Sequence, residues 1–468
     1  MKTLVVGLGK SGRATYEFLE DEGDDVVGFD DSKALMEAFI QEGKNVDFCP
    51  RLTQFDRVIV SPGIPPSHPL YAGAVQKGLE VVGEAELALQ RLHQPCIAVT
   101  GTNGKTTVTL LIEHILKASG LQALALGNVG RPLTAYVKAA QKGEIMVVEL
   151  SSYQLETLRT PCVDLGLVLN ITPDHLDRYG SLREYAMAKC RLQELVKPSG
   201  TFWVHQSVAE EFGDLLKPGY QIYGIEPILP SQYTIGGNSN PPFGAKSVLL
   251  EQDPNSAQIA YSHSNMSICA ECGPAQKSSN LASKASFATT SCGGNHDRAN
   301  IFAAWCACKA FVDEATFSKA LKTFQKPEHR IEFVTSWDGV DYFDDSKGTN
   351  IDATIKGVEA MSGKVILIAG GVDKGSSYEP WKKVFAGKVK HILALGQAAK
   401  KIAEELSPEF QVEMVSNLHE AVRRASEEAK KGDSVLLSPG CSSYDMFRDY
   451  VERGEKFKQF VLELGRET

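Results

Sequence analysis

An apolar run precedes GTNGKTT and a helical apolar pattern follows it in the segment Cys96-Ile-Ala-Val-Thr-Gly-Thr-Asn-Gly-Lys-Thr-Thr-Val-Thr-Leu-Leu111. The strict phosphate-loop pattern G-x-x-x-x-G-K-[ST] fails, because Val99 takes the place of its first glycine. Strand, loop and helix still occur in the order that phosphate binding at a helix N-terminus requires. The alternative is an ordinary strand-to-helix turn. The pattern therefore predicts a nucleoside triphosphate site formed by Gly101, Thr102, Asn103, Gly104, Lys105, Thr106 and Thr107.

Three residues outside this loop are candidates for the same chemistry. Glu149 ends a later apolar run, and an acid at the end of a strand beside a threonine-bearing phosphate loop commonly holds Mg²⁺. A solvent-facing glutamate is the alternative. His175, in Pro-Asp-His-Leu-Asp, could be a ligand, a substrate contact or a neighbour of a helix cap. Taken alone, Lys189 has the pattern of an ordinary helix lysine.

Composition narrows the class of protein. The 468 residues are 43% hydrophobic and 23% charged, which is typical of a soluble globular chain with about three domains. We expect no membrane segment and a cytoplasmic location, because no apolar run is long enough to span a bilayer and no cleavage site follows the first strand. The 10 scattered cysteines suit reduced thiols. A net charge of -9 without a basic run argues against a nucleic-acid partner. Separately, we expect the protein to be a monomer.

Alternation of strands, glycine loops and helices predicts an α/β fold with three domains. The predicted boundaries are 1–93, 94–326 and 327–468, with Rossmann-like first and last domains and a central phosphate-loop ATPase domain whose sheet is mostly parallel. From about 230 to 292, Ser, Asn, Gly and Pro dominate, which predicts a long-loop insertion in the central domain. Asp-Gly within Trp337-Asp-Gly-Val predicts a β-hairpin early in the last domain.

A second glycine loop, Gly7-Leu-Gly-Lys-Ser-Gly12, follows the first strand, and Asp30 comes about twenty residues later. This spacing fits the dinucleotide fingerprint, in which Gly9 would approach a pyrophosphate and Asp30 a ribose hydroxyl. Three interpretations remain: NAD, another ligand that carries a diphosphate, or a structural turn. The separate nucleotide loop at residue 101 favours another diphosphate ligand.

Several motifs occur together and in order along the chain. They are GTNGKTT, Glu149-Leu-Ser-Ser-Tyr-Gln-Leu-Glu156, Leu169-Asn-Ile-Thr-Pro-Asp-His-Leu-Asp-Arg178, Ala188-Lys-Cys-Arg191, Asp345-Ser-Lys-Gly-Thr-Asn350 and Leu437-Ser-Pro-Gly-Cys-Ser-Ser-Tyr444. The set resembles the Mur ligases, and among them the members that add D-glutamate. This resemblance implies that the first domain binds the UDP part of an acceptor, the central one ATP, and the last the amino acid. It implies an ATP-dependent amide ligase of peptidoglycan precursor synthesis, which joins D-glutamate to UDP-N-acetylmuramoyl-L-alanine through an acyl phosphate.

The resemblance also implies roles for individual residues. Two Mg²⁺ ions are expected, with ligands from Thr106, Glu149, His175 and a carbamylated Lys189. The ATP side would include Asn300, Arg330 and Lys347. The uridine diphosphate would face Lys10, Ser11, Ser61 and Gly63, with Asn128 on the acceptor near the reacting groups. The amino-acid carboxylates would meet Thr349, Lys374, Ser443 and Tyr450, a set that supplies the cationic and hydroxyl donors a dicarboxylate needs.

Some features depart from the family pattern or favour other proteins. Asp31-Ser32 stands where many Mur ligases carry Thr-Arg. In and beside the insertion, Cys269, Cys272, Cys292 and His296 have a spacing that could bind zinc. A folylpolyglutamate synthase-like enzyme, a Mur ligase for another amino acid, a nicotinamide dehydrogenase and a non-catalytic nucleotide-binding regulator remain alternatives.

Overall fold

Parallel strands alternate with helices throughout the computed structural model, which describes residues 1–224 and 295–465. The strands are β1 (Lys2–Val6), β2 (Asp25–Phe29), β3 (Arg57–Val60), β4 (Glu80–Gly83), β5 (Cys96–Thr100), β6 (Ala123–Gly127), β7 (Ile145–Glu149), β8 (Val163–Val168), β9 (Val196–His205), β10 (Gln221–Tyr223), β11 (Glu332–Trp337), β12 (Val340–Asp344), β13 (Val365–Gly370), β14 (Val389–Leu395), β15 (Val412–Met414) and β16 (Ser434–Leu437). The helices are α1 (Lys10–Asp21), α2 (Lys33–Gln41), α3 (Pro69–Gln76), α4 (Glu84–Leu89), α5 (Lys105–Ala118), α6 (Leu133–Val137), α7 (Ser152–Thr157), α8 (Leu182–Cys190), α9 (Gln206–Phe212), α10 (Asn295–Cys308), α11 (Glu314–Leu321), α12 (Ile351–Ala360), α13 (Glu379–Phe385), α14 (Ala399–Leu406), α15 (Leu418–Glu428) and α16 (Tyr450–Leu464).

The strands form three sheets in the described residues, with the orders β2-β1-β3-β4, β10-β9-β8-β5-β7-β6 and β11-β12-β16-β13-β14-β15. Neighbouring strands pair in parallel, apart from the antiparallel pair β11–β12. The predicted α/β class with mostly parallel sheets is confirmed.

The described residues divide into two units, and each is taken by itself. The first unit comprises the described parts of Met1–Asn170, Met187–Thr290 and Ala299–Phe324, and the second those of Ile171–Ala186, Ser291–Arg298 and Gln325–Thr468. The first unit holds the first two sheets and the second unit holds the third. The boundaries 1–93, 94–326 and 327–468 stay a prediction. The predicted insertion and its three cysteines lie outside the described residues.

Strand β1 shows how the first sheet is built. Leu4 and Val6 belong to one buried cluster and Val5 to another, so the strand is covered on both faces. Such double coverage is expected of a parallel strand in an α/β fold. The chain then turns at Gly7 with a φ of 91° and enters α1 at Lys10.

In the central sheet, β5 lies between β7 and β8 and all five of its residues are buried. Ile97 and Val99 pack in the same cluster as Val108 and Ile112 of α5. Because the strands are parallel, the carboxyl ends of β5, β7 and β8 meet at one edge of the sheet. That edge carries the phosphate loop and Glu149.

In the third sheet, β16 is the last strand in the chain but lies between β12 and β13. The hairpin predicted at Trp337-Asp-Gly-Val is confirmed, with positive φ values of 51° at Asp338 and 76° at Gly339. The carboxyl end of β16 therefore places the 438–443 loop beside the loop that follows β12.

Two further predictions concern location and redox state. None of the helices in the described segments combines the length and apolarity needed to traverse a bilayer. The cysteines of these segments are free thiols, and all but Cys49 are buried. Burial raises the pKa of Cys162 to about 12 and that of Cys190 to about 11, so these thiols are unreactive near neutral pH.

Candidate active site

The predicted phosphate loop joins β5 to α5 with the geometry of an anion site. Gly101 and Gly104 have φ values of 150° and 83°, and Gly104 is the residue before the first turn of α5. A Cβ added to Gly104 would lie 2.4 Å from Asn300 Oδ1, so the loop and α10 approach too closely for a side chain. Lys105 begins the helix and its Nζ donates to the Thr102 carbonyl at 2.9 Å. The loop therefore offers amide donors and a cation at a helix N-terminus.

Asn170, which follows β8, holds this loop in shape. Its carbonyl oxygen accepts from the Thr102 amide at 2.8 Å, and its Oδ1 accepts from the Asn103 amide at 2.8 Å. Its Nδ2 donates to the Asn103 carbonyl at 2.9 Å. Asn170 lies in a motif that the sequence singled out, but its contacts with the loop were not predicted. The only signal was its position at the end of a strand next to β5.

Glu149 ends β7 opposite Val99 and is 1% exposed. Its Oε1 accepts from Asn128 Nδ2 at 2.7 Å, whereas its Oε2 has no hydrogen-bond partner in the described segments. A buried carboxylate oxygen without a partner is costly unless a cation or donor occupies the position next to it. Thr106 is also buried, and carboxylate and hydroxyl oxygens are ligands that Mg²⁺ prefers. These residues fit a magnesium ion.

Lys189 is a buried cation in the first unit, with 1% of its surface exposed. Its Nζ donates to the Gly101 carbonyl at 2.8 Å, which links α8 to the phosphate loop. Burial of a lysine is expensive unless its nitrogen is hydrogen-bonded and its charge is used. The structure thus brings Lys189 to the phosphate loop, which the bare helical pattern did not indicate.

The first glycine loop also carries several predicted residues. Asp30 Oδ2 accepts from the Leu8 amide at 2.6 Å, and its Oδ1 accepts from the Ser32 amide at 2.7 Å. Ser61 Oγ donates to the Gly7 carbonyl at 2.8 Å, and Lys10 Nζ donates to the Gly130 carbonyl at 2.7 Å. Asp30 and Ser61 therefore shape the loop, and Lys10 ties it to the turn that follows Asn128.

In the second unit, the carboxylate of Asp174 accepts hydrogen bonds from three groups. Its Oδ1 accepts from Lys374 Nζ at 2.9 Å and its Oδ2 from Asn350 Nδ2 at 3.3 Å. His175 has a positive φ of 55°, and its amide donates to Asp174 Oδ1 at 2.9 Å. The structure thereby brings together Lys374 and the segment that contains His175.

Tyr450 and Lys347 also come together in the second unit. The Lys347 Nζ lies 5.2 Å from the centroid of the Tyr450 ring, within the range of a cation–π contact. The ring of His329 packs edge to face against the ring of Tyr450, with their centroids 6.2 Å apart. Burial is the largest single influence on His329 and lowers its pKa, but the hydrogen bond and charge of Asp344, with the charge of Glu332, together raise the pKa above its ordinary value.

The second unit contains a buried acid that the sequence analysis did not assign. Asp345 is 2% exposed and its Oδ2 accepts from Ser438 Oγ at 2.7 Å. Burial raises the pKa of Asp345 to about 7, although the charge of Arg330 pulls it the other way. The signal for this residue was its place at the head of the Asp345–Asn350 motif.

Comparison with known proteins finds three family models, which match segments of the chain that contain strands of all three sheets. Residues 1–83 match the Mur ligase MurD-like N-terminal domain, residues 99–217 the Mur ligase middle domain, and residues 329–441 the Mur ligase glutamate ligase domain. The UDP-N-acetylmuramoylalanine--D-glutamate ligase of Protochlamydia amoebophila is 43% identical over 98% of this chain and 97% of its own length. The enzyme of the same name from Thermoanaerobacter pseudethanolicus is 35% identical over 99% of both chains.

The chain belongs to the Mur ligase family. Solved structures of this family share its fold at much lower identity. The UDP-N-acetylmuramate-alanine ligase of Thermotoga maritima superposes with a TM-score of 0.55 at 16% identity over 100% of both chains. A pseudomurein peptide ligase from Methanothermus fervidus gives a TM-score of 0.55 at 18% identity over 99% of both chains. The three-domain architecture of a Mur ligase is thus confirmed.

Membership of the Mur ligases excludes the nicotinamide dehydrogenase that the sequence left open. A dehydrogenase rested on the first glycine loop alone, and the Mur ligase models cover all three sheets. The residue roles carried over from the resemblance stay predictions, including those of Asn300, Arg330, Thr349 and Ser443. Within the first unit, the structure brings Glu149 to Asn128 and Lys189 to the phosphate loop.

Proposed function

We propose that this Mur ligase joins D-glutamate to UDP-N-acetylmuramoyl-L-alanine with hydrolysis of ATP, in the synthesis of peptidoglycan precursors. The relatives that cover almost the whole chain are named for this reaction. We further propose that the protein acts as a monomer in the cytoplasm.

One observation carries the catalytic part of the proposal. A lysine and glycine amides at the N-terminus of α5 lie at the same sheet edge as a buried carboxylate whose Oε2 has no hydrogen-bond partner within the described residues. This combination suits a triphosphate accompanied by a divalent ion better than it suits a neutral ligand, because each charge then meets its opposite.

In the first step, the terminal carboxylate of the acceptor attacks the γ-phosphorus of ATP. The bond from that phosphorus to the β–γ bridging oxygen breaks, ADP leaves, and an acyl phosphate forms. Phosphoryl transfer needs charge neutralisation and alignment more than covalent help from the protein. Lys105 supplies positive charge at the phosphates, and the amides of the loop orient them.

Magnesium ions, when bound, would neutralise phosphate charge, with Thr106 and Glu149 as ligands of one. By the resemblance, His175 would hold a second ion, and the carbamate of Lys189 would face the metal. Asn128 orients the Glu149 side chain, since its Nδ2 donates to Oε1 and leaves Oε2 open. The resemblance implies that Asn128 also contacts the acceptor.

In the second step, the deprotonated amine of D-glutamate attacks the acyl carbon. The tetrahedral intermediate collapses, the bond from carbon to the phosphate oxygen breaks, and inorganic phosphate leaves with formation of the amide. Lys374, Thr349, Ser443 and Tyr450 would hold the two carboxylates of the incoming amino acid. Holding both carboxylates orients the amine for its attack on the acyl carbon, and this orientation lowers the activation barrier.

Lys189 would act as a carbamate, which converts a cation into a carboxylate-like ligand. The nitrogen of a carbamate retains one hydrogen, so the observed bond to the Gly101 carbonyl is compatible with the modification. Lys189→Ala should nearly abolish ligation, and formate or acetate should restore part of it by replacing the missing carboxylate. Lys105→Ala is the matched control, because an added anion cannot replace a lost cation. Equal rescue of both variants would contradict the carbamate.

The reaction itself is tested by measuring ADP release with each substrate omitted in turn. We expect ADP only when ATP, UDP-N-acetylmuramoyl-L-alanine and D-glutamate are all present, together with one amide product per ADP. L-Glutamate serves as the control for the configuration of the amino acid. ADP formed equally fast without acceptor or without D-glutamate would overturn the proposal.

A further inference from the structure

Arg453 is a fully buried arginine that no sequence motif singled out. It lies in the first turn of α16, three residues after Tyr450, and is 1% exposed. Its Nε donates to Ser346 Oγ at 3.0 Å and its Nη2 donates to the Ser346 carbonyl at 2.8 Å. Nη1 and Nη2 both donate to the Cys441 carbonyl at 3.2 Å. All three guanidinium nitrogens thus donate hydrogen bonds below the surface of the second unit.

All of these acceptors are uncharged. Within the described residues, the guanidinium donates to two carbonyl oxygens and one hydroxyl, and to no carboxylate. Burial lowers the pKa of Arg453 to about 10, even though Asp344, Asp345 and Asp445 act in the opposite direction. Burying a charge against neutral acceptors is costly, and the hydrogen bonds together with the nearby carboxylates offset part of that cost.

The contacts of Arg453 join three segments that carry predicted ligand residues. Ser346 belongs to the 345–350 segment, which contains Lys347 and Thr349. Cys441 belongs to the 438–443 segment, which ends at Ser443. The third segment is the start of α16, because Ser346 Oγ accepts from Arg453 and donates to the Tyr450 carbonyl at 2.8 Å.

We propose that Arg453 is a positioning residue that sets the spacing of the groups that hold the carboxylates of the incoming amino acid. The inference rests on the proposed function, in which Thr349, Ser443 and Tyr450 bind D-glutamate. Arg453 itself touches no substrate in this assignment. Arg453 fixes the backbone that carries those side chains. Ser346 extends this hydrogen-bond network to the backbone carbonyl of Tyr450.

Arginine is the residue type that can make the observed contacts with Ser346 and Cys441 together. Its planar fork presents five N–H donors in fixed directions, so it can bind Ser346 and Cys441 at the same time. Lysine keeps the charge but presents its donors from one nitrogen, and an apolar residue would leave both carbonyls without partners. The backbone nearby is adapted to the fit: a Cβ on Gly371 would lie 2.1 Å from the Ser442 carbonyl and 3.3 Å from Arg453 Nη1.

The test compares Michaelis constants for all three substrates in the full-length enzyme. For Arg453→Ala we expect the KM for D-glutamate to rise about 10- to 100-fold, because small displacements of positioning groups cost that much, with the KM for ATP changed less than about 3-fold. Arg453→Lys should show a smaller rise in the same constant. Added guanidinium ion should lower the KM for D-glutamate of Arg453→Ala but leave the wild type unchanged.

Ser346→Ala provides a milder variant in case Arg453→Ala does not fold. It removes the relay to Tyr450 and leaves the arginine and its carbonyl contacts in place. We expect a rise of about 3- to 10-fold in the KM for D-glutamate, the size that one lost hydrogen bond produces. Arg423→Ala is the matched control, since Arg423 is half exposed on α15 and pairs only with Glu427 among the described residues.

The outcomes separate the inference from the proposed function. If the wild type ligates D-glutamate but Arg453→Lys and Ser346→Ala lower only the Tm and keep the KM for D-glutamate, Arg453 is merely structural and the inference is overturned. An equal rise in the KM for ATP would overturn it as well. If the wild type does not use D-glutamate at all, the proposed function fails first and the inference fails with it.

Discussion

The two glycine loops of the first unit have the same construction, but the side chains that support them differ in charge. In each, a side chain that follows a neighbouring strand accepts a hydrogen bond from a loop amide. Asp30, after β2, accepts from Leu8 at 2.6 Å, and Asn170, after β8, accepts from Asn103 at 2.8 Å. A carboxylate therefore supports the first loop and a carboxamide the second.

This difference changes the charge that each loop presents to its ligand. The carboxylate of Asp30 places a negative charge on the amides of the first loop, whereas the second loop keeps its amides beside Lys105 and Lys189. An acid at this place suits hydroxyl and N–H donors of a nucleoside, and cations suit a triphosphate. We therefore expect the same strand–loop–helix unit to serve the uridine diphosphate at the first loop and the triphosphate at the second.

The largest expected effect separates the two lysines that begin the helices. Lys10 is the first residue of α1 and Lys105 is the first residue of α5. Lys105→Ala should lower kcat about 10²- to 10³-fold, the usual cost of losing one group that stabilises transition-state charge. Lys10→Ala should mainly raise the KM for the UDP-linked acceptor. Steady-state kinetics on both variants checks this, and equal losses of kcat would break the comparison.

The second prediction compares glycines at the same position before the two helices. Gly104 has a φ of 83° and a Cβ there would lie 2.4 Å from Asn300 Oδ1, so Gly104→Ala should cost about 1 to 3 kcal/mol of stability. Gly9 has a φ of -66°, and a Cβ added there would meet no atom of the described residues within 4 Å, so Gly9→Ala should change stability by less than about 0.5 kcal/mol. Urea unfolding of both variants measures the difference. A larger loss for Gly9→Ala would contradict it.

The smallest expected effect exchanges the supporting side chains. Asn170→Asp should keep an acceptor for the Asn103 amide but lose the donor to the Asn103 carbonyl, and it adds negative charge. The KM for ATP should rise about 10-fold. Asp30→Asn is the reciprocal control and should leave the KM for ATP unchanged. If Asn170→Asp left the KM for ATP unchanged, charge would not distinguish the loops.

Much of this site followed from local pattern. Glycines before a helix, an apolar strand before them and an acid at the end of a later strand were enough to predict the phosphate loop and the role of Glu149. The hairpin at Asp338 and Gly339 was equally local, because its turn needs positive φ values. The contacts of Asn170 with the loop were not predictable in this way, because they depend on which strand lies beside β5.

Arg453 shows the same limit in the second unit. Along the chain it is one basic residue among the polar residues of a helix, with no spacing that marks it. Its function as a junction appears only once β16 is placed between β12 and β13, which brings the Cys441 and Ser346 carbonyls to one point.

The α/β class, the phosphate loop and the resemblance to the Mur ligases could be predicted from the chain alone, because these depend on residue types at short and regular spacings. Three features required the three-dimensional structure. They are the side chain that supports each glycine loop, the Glu149 carboxylate oxygen that lacks a hydrogen-bond partner among the described residues, and the position of the buried guanidinium of Arg453. Those features arise where strands distant in the sequence become neighbours. Hydrogen bonding and burial depend on which atoms are close in space, and the pattern of residues along the chain does not specify those distances.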